Sequence, residues 1–147
     1  MRELVRMLTP DLKYIKHEIH EDTIFIHVKS KRKDAHCPYC GKLSNKVHSK
    51  YIRKLQDLPI QGKKVKLLMI RNKYFCKNVE CSKGTFAEKF DFFGDKSTMT
   101  NRLEEEILRV SLTQSSVSAS RYLKAGTADV SKSTICNLLK KGREKEC

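Results

Sequence analysis

With 147 residues, the chain has room for one ordinary domain or two small ones, but not for a large core. Its 31 Lys and Arg outnumber 17 Asp and Glu for a formal charge of +14, and from Lys29 to Lys77 fifteen bases face only Asp34 and Asp57. That imbalance points to a polyanionic partner, while the charged start Met1–Arg6 and a longest apolar run of only Leu67–Ile70 exclude a secretory leader or a membrane-spanning helix as readings, so a cytoplasmic location is expected.

The fold class expected is α+β, with β patterning first. Ile15 and Ile19 alternate with polar residues over Tyr14–His20, and Ile24, Ile26 and Val28 do so over Thr23–Lys29. With Glu21-Asp22 as the turn, this predicts a hairpin with one apolar face. Two further strands are predicted at Lys46–Leu55 and Lys64–Phe75, the second around the run Val65, Leu67, Met69 and Ile70, with Pro59 and Gly62 marking the connection. Residues 94–99 read as a linker between a β-rich domain (1–93) and a helical one (100–147).

Past Thr100, a natural N-cap, the period becomes helical. Leu103, Ile107 and Val110 share a face that Leu108 and Leu112 extend, and Glu104–Glu106 suit the positive end of the helix. A second helix is predicted from a Ser116 cap through Val117, Ala119, Tyr122 and Leu123. A third begins near Ser131, turns Ile135, Leu138 and Leu139 inward, carries Lys140 and Lys141 near its C-terminus, and ends at Gly142.

Six cysteines in a cytoplasmic chain favour a metal over disulfides. Cys37-Pro38-Tyr39-Cys40-Gly41 has the spacing at which one turn aims two sulfurs at one ion, and Gly41 supplies the backbone freedom such a turn needs. Cys76-x4-Cys81 is the matching half. It follows an insert long enough for the two basic strands, as in a zinc ribbon holding one structural Zn²⁺. The longer second spacing leaves His36 or His48 as substitute ligands, and buried or disulfide-linked cysteines are the bland alternative. Lys42, Lys77 and Lys83 would offset the net −2 charge of a tetrathiolate site. Cys136 reads as helix packing, and Cys147 has no paired spacing. Four thiolates leave no open position for catalysis, and His17 and His20 fall on opposite faces of a strand, so no catalytic residue is expected.

Lys50, Arg53, Lys64, Lys66, Arg71 and Lys73 line the two central strands, with Tyr51, Tyr74 and Phe75 among them. A phosphate-tracking surface on double-stranded DNA is the favoured reading. A solvated charged face, a ribosomal protein or an acidic-membrane binder would carry similar charge. The three helices suggest a helix-turn-helix whose last helix offers Lys132, Ser133, Thr134, Asn137 and Lys140 to a major groove. The seven residues Lys124–Val130 make a long connection for that motif, which keeps a plain helical interaction domain in view.

In order, Cys37–Gly41, Arg53-Lys54-Leu55-Gln56-Asp57-Leu58-Pro59 with Gly62 and Val65, Arg71–Cys76, Cys81, Thr85–Glu88 and Ser131–Ile135 resemble the N-terminal part of bacterial insertion-sequence transposases of the ISL-three family. The resemblance implies a zinc ribbon and a helix-turn-helix that bind terminal inverted repeats, without the larger D-D-E catalytic domain that would follow. It also implies a homo-oligomer or a full-length transposase as partner, and places the chain at the bacterial nucleoid when bound. A zinc-ribbon protein-interaction module or a small transcriptional regulator is the alternative.

Overall fold

The computed structural model describes the backbone of residues 1–146 and side chains through Lys141. The expected role of Cys147 lies outside the described residues.

A short helix α1 (Arg2–Arg6) precedes seven strands: β1 (Leu12–His20), β2 (Thr23–Ser30), β3 (Ala35–His36), β4 (Leu43–Ser44), β5 (Val47–Ile60), β6 (Lys63–Phe75) and β7 (Thr85–Ala87). Helices α2 (Asn101–Ser111), α3 (Ser116–Gly126) and α4 (Lys132–Glu146) follow. One sheet has the order β1-β2-β6-β5, with β7 paired to the end of β6, and β3-β4 form a second, two-stranded sheet. The β5–β6 turn places Gln61 and Gly62 at φ 51° and 75°, as two-residue hairpin loops require. It lies later than the expected break, because β5 runs on through Pro59. A proline is tolerated there since β5 ends the strand order and its outer side needs few ladder donors.

The β1–β2 hairpin forms, but without the shared apolar face. Ile24, Ile26 and Val28 are buried, whereas Ile15 and Ile19 are exposed. β1 is an edge strand, and of its residues only Leu12 is fully covered. Three short strands, β3, β4 and β7, were invisible to periodicity because two or three residues cannot display one.

Two compact units make up the chain, and they are interleaved in sequence. One comprises Met1–His17, Ile26–Lys54 and Leu67–Asp91, and the other Glu18–Phe25, Leu55–Lys66 and Phe92–Cys147. In the second unit, α2–α4 close over Met99, Leu103, Ile107, Ala119, Leu123, Ala128, Val130 and Ile135, with Leu58, Val110, Leu138 and Leu139 at the margin. Thr100 and Ser115 cap α2 and α3 by accepting the amides of Leu103 and Ser118, and Ser131 accepts that of Thr134. Leu112, expected to extend the apolar face of α2, is exposed, as are Val117 and Tyr122 of α3. The smaller Ala119 and Ser120 take the buried positions of α3 instead, which lets the helix approach closely. α3 extends to Gly126, so the connection to α4 shortens to 127–131. α4 continues through Gly142 rather than ending there.

Residues 94–99 are more than a linker. Met99 is buried, it bridges Gln56 in parallel, and the amide of Gln56 donates to Thr98 O at 2.9 Å. Asp57, also buried, accepts from Thr100 Oγ1 (2.8 Å) and Arg102 Nε (2.8 Å), tying β5 to the start of α2. The Gln56 side chain donates to Asp129 O (3.0 Å) and accepts the Asp129 amide (2.7 Å), so it pins the α3–α4 connection. The Asp129 carboxylate in turn pairs with Lys64 (3.0 Å) and Lys66 (3.3 Å).

Candidate metal centre

Each half of the cysteine set occupies the loop of a short hairpin. Cys37 and Cys40 lie between β3 and β4, whose register is Ala35↔Ser44 and His36↔Leu43. The loop is closed by the Cys37 amide on Lys42 O (3.0 Å) and the Gly41 amide on Cys37 O (2.7 Å). Gly41, at φ +79°, takes the left-handed conformation that a side chain would resist. Cys76 and Cys81 lie between β6 and β7, paired as Lys73↔Ala87, Tyr74↔Phe86 and Phe75↔Thr85. The Cys76 amide donates to Gly84 O (2.7 Å) and the Cys81 amide to Asn78 O (3.0 Å), and Asn78 Oδ1 takes the Glu80 amide. The extra residues of the x4 spacing are absorbed by this Asn-centred turn.

Buried Ser44 brings the halves together by donating to Phe75 O at 2.5 Å, and the Phe75 amide donates to Lys46 O at 2.9 Å. The two loops therefore meet at the open end of the β5–β6 hairpin. Beneath them Cys37 packs with Tyr74 and Phe86, whose rings stack 5.7 Å apart, and Ala35, Cys76 and Cys81 border the cluster.

All four sulfurs lie within 4.8 Å of one another. Cys37 Sγ is 3.9 Å from Cys81 Sγ, and Cys40 Sγ is 3.5 Å from Cys76 Sγ. A tetrahedron of Zn–S bonds near 2.3 Å has edges of about 3.8 Å, so the donor set fits one zinc ion with only small side-chain adjustments. The ionisation of the thiols also calls for a cation. Cys40 is lowered to about 7, chiefly by the Lys42 backbone amide. Cys76 receives an amide from Asn78, yet desolvation and the neighbouring thiols push it up to about 12. Four adjacent thiolates repel, and a divalent ion removes that penalty.

Neither histidine replaces a cysteine. His36 Nδ1 lies 3.1 Å from Gly41 O, and His48 packs edge-on against Phe75 with Nδ1 3.0 Å from Ser49 Oγ. Among the described residues, the four cysteines are the group able to hold a metal. His17 contacts Tyr14, and His20 contacts Glu18. Lys42 Nζ reaches Lys77 O, and Lys83 sits 5.2 Å over the Tyr39 ring, so positive charge borders the centre. Cys136 is half-buried against Ser116, on the helical packing expected of it.

Residues 33–81 match the family model for the zinc-finger of transposase IS204/IS1001/IS1096/IS1165. The match covers a third of the chain, and no curated protein or solved structure matches it. It contains all four cysteines, so this stretch is similar to the zinc finger of those transposases in both sequence and ligand set. The same stretch holds Gln56 and Asp57, whose roles are structural. The linear motif assigns neither a task, because their partners Asp129, Thr100 and Arg102 are remote in the chain.

The residues expected to touch DNA occupy different environments. Arg71 is buried, donating from Nε to Tyr51 OH and from Nη1 to Glu88 O (3.4 Å). Its charge serves the interior. Lys64 and Lys66 are engaged by Asp129, Arg53 and Lys73 are half-buried, and Lys50 is exposed. On α4, Lys132, Ser133, Asn137 and Lys140 are exposed, while the Thr134 hydroxyl lies 3.0 Å from the Ser131 cap. Glu88 is a buried acid that sequence did not single out. It accepts from Ser30 Oγ (2.9 Å) and the Asn72 amide (2.8 Å), which satisfies both oxygens.

Proposed function

We propose that the chain is a zinc-dependent binding protein for double-stranded DNA, acting as the recognition part of an insertion-sequence transposition system. The observation that carries the reading is the gathering of four sulfurs inside a stretch similar to a transposase zinc finger. The metal holds two loops together at the end of a basic hairpin. The capped α4 offers an exposed polar face from Lys132 to Lys140, and an Asn such as Asn137 pairs with adenine through two hydrogen bonds. With the connection reduced to 127–131, α3 and α4 fit a helix-turn-helix arrangement better than the sequence spacing suggested. The targets on this reading are the terminal repeats of an element, the partner is a second copy or a full-length transposase, and the activity is binding rather than strand cleavage.

The experiment is selection of duplexes with randomised centres on the zinc-loaded protein. The expected result is enrichment of one motif, relaxed at a single position by Asn137→Ala and abolished by Cys40→Ser. Equal retention of all duplexes by the wild type and by Cys40→Ser would overturn the reading. Exposed Tyr39 and Val79 beside the two cysteine loops favour, as a second reading, a protein partner docking there. A complex that survives nuclease treatment and is lost with Tyr39→Ala would establish it.

A further inference from the structure

The basic side chains of the first unit divide into two classes. Some are consumed by the fold: Arg71 is buried, and Arg32 donates to Asp11 (2.7 Å) and to Lys89 O. Seven others have no carboxylate partner among the described residues and line two adjoining clefts. A cleft of about 750 Å³ is lined by Arg2, Arg6, Lys13 and Lys31, with Glu3 its one acid. A second, of about 430 Å³, is lined by Lys29, Lys33 and Lys50 and shares Lys13 and Lys31 with the first. Because both clefts use the same two lysines, they adjoin.

We infer that these two adjoining clefts, from Arg2 and Arg6 across Lys13 and Lys31 to Lys33 and Lys50, form a docking groove for the phosphodiester backbone of duplex DNA. The inference rests on the DNA-binding reading and assigns it a surface. Cations left unpaired at close quarters repel one another, a cost that a solvated convex face avoids by spreading them. Lining a concavity with them is favourable when a polyanion enters and releases its counterions. Lys and Arg held this way contact phosphates without reading bases, so the groove adds affinity and register rather than sequence choice. Apart from Lys50, none of these residues belongs to the two central strands or to α4. The groove's residues are therefore not those of the helix proposed to read sequence.

The test measures affinity of zinc-loaded protein for a duplex of the selected motif and for one of scrambled sequence, over a range of salt. Lys13→Gln/Lys31→Gln should flatten the slope of log affinity against log salt by about 2 on both duplexes, from about 0.9 per phosphate contact. Arg2→Gln/Arg6→Gln should flatten it similarly, and Lys96→Gln, an exposed cation elsewhere, should leave it unchanged. These side chains lie at the surface, so zinc content and melting temperature should match the wild type. A wild type that binds duplex with its normal slope retained in both double variants would overturn the groove while leaving the functional reading intact. A wild type that binds no duplex would overturn both. Loss on the motif duplex alone would mean base contact, and would also overturn the groove.

Discussion

Cys76 is the residue on which the metal centre's chemistry turns. Its thiol, pushed up to about 12, holds its proton at neutral pH, while Cys40, at about 7, is half ionised. Zinc requires both as thiolates, so binding expels protons and affinity must rise with pH. The logarithm of the zinc affinity should therefore climb with pH, and more steeply below pH 7, where Cys40 adds its proton to that of Cys76. Competition with a chromophoric chelator across pH 6–8 measures this, and a flat profile would contradict it. Cys81→Ser should reduce bound zinc from one equivalent to a weakly held fraction by metal analysis, because the 3.9 Å pair with Cys37 is then lost. His36→Ala should leave stoichiometry at one, since that ring is engaged with Gly41 O.

At the scale of elements, the decisive contacts lie within the second unit, between its Leu55–Lys66 stretch and the helices. Asp57 is buried and shared between Thr100 and Arg102. Asp57→Ala strands two donors and should cost about 3 kcal/mol in urea unfolding of the zinc-loaded protein. Gln56→Ala removes both bonds to the backbone at residue 129 and should cost about 2 kcal/mol. The Asp129 carboxyl is held below its ordinary range, first by its hydrogen bond with Lys64 and then by Lys66. A depressed acid contributes its stabilisation above the unfolded value and loses it as pH falls through the folded one. Protection from hydrogen exchange over 127–131, relative to the intrinsic amide rate, should therefore fall as pH drops through the range where this carboxyl protonates, and Asp129→Asn should show the lower protection already at neutral pH.

For the whole molecule, charge and metal set the behaviour. The fold spends Arg71, Lys64, Lys66 and Arg102 on internal pairing and leaves other cations unbalanced. Affinity for polyanions should thus follow the unpaired cations rather than the linear density of Lys and Arg. A chain this small gains much of its margin from the metal, since a structural zinc binds with about 10 kcal/mol or more. Chelation should lower the melting temperature steeply, and zinc, but not magnesium, should restore it. No helix among the described residues is long and apolar enough to cross a membrane.

The sequence by itself determined the ligand set, the long strands and the three late helices. Cysteine spacing, period-two alternation and Ser/Thr caps act between residues close in the chain, so a linear reading detects them. The tertiary structure decided which face of β1 meets solvent, that residues 94–99 bridge β5, and that Gln56 and Asp57 hold the helices. It also decided which of the many cations are free. Those outcomes depend on partners such as Asp129, 73 positions from Gln56, and on whether a neighbour covers a strand edge. No local pattern encodes either, because burial and charge pairing are set by what the folded chain brings alongside.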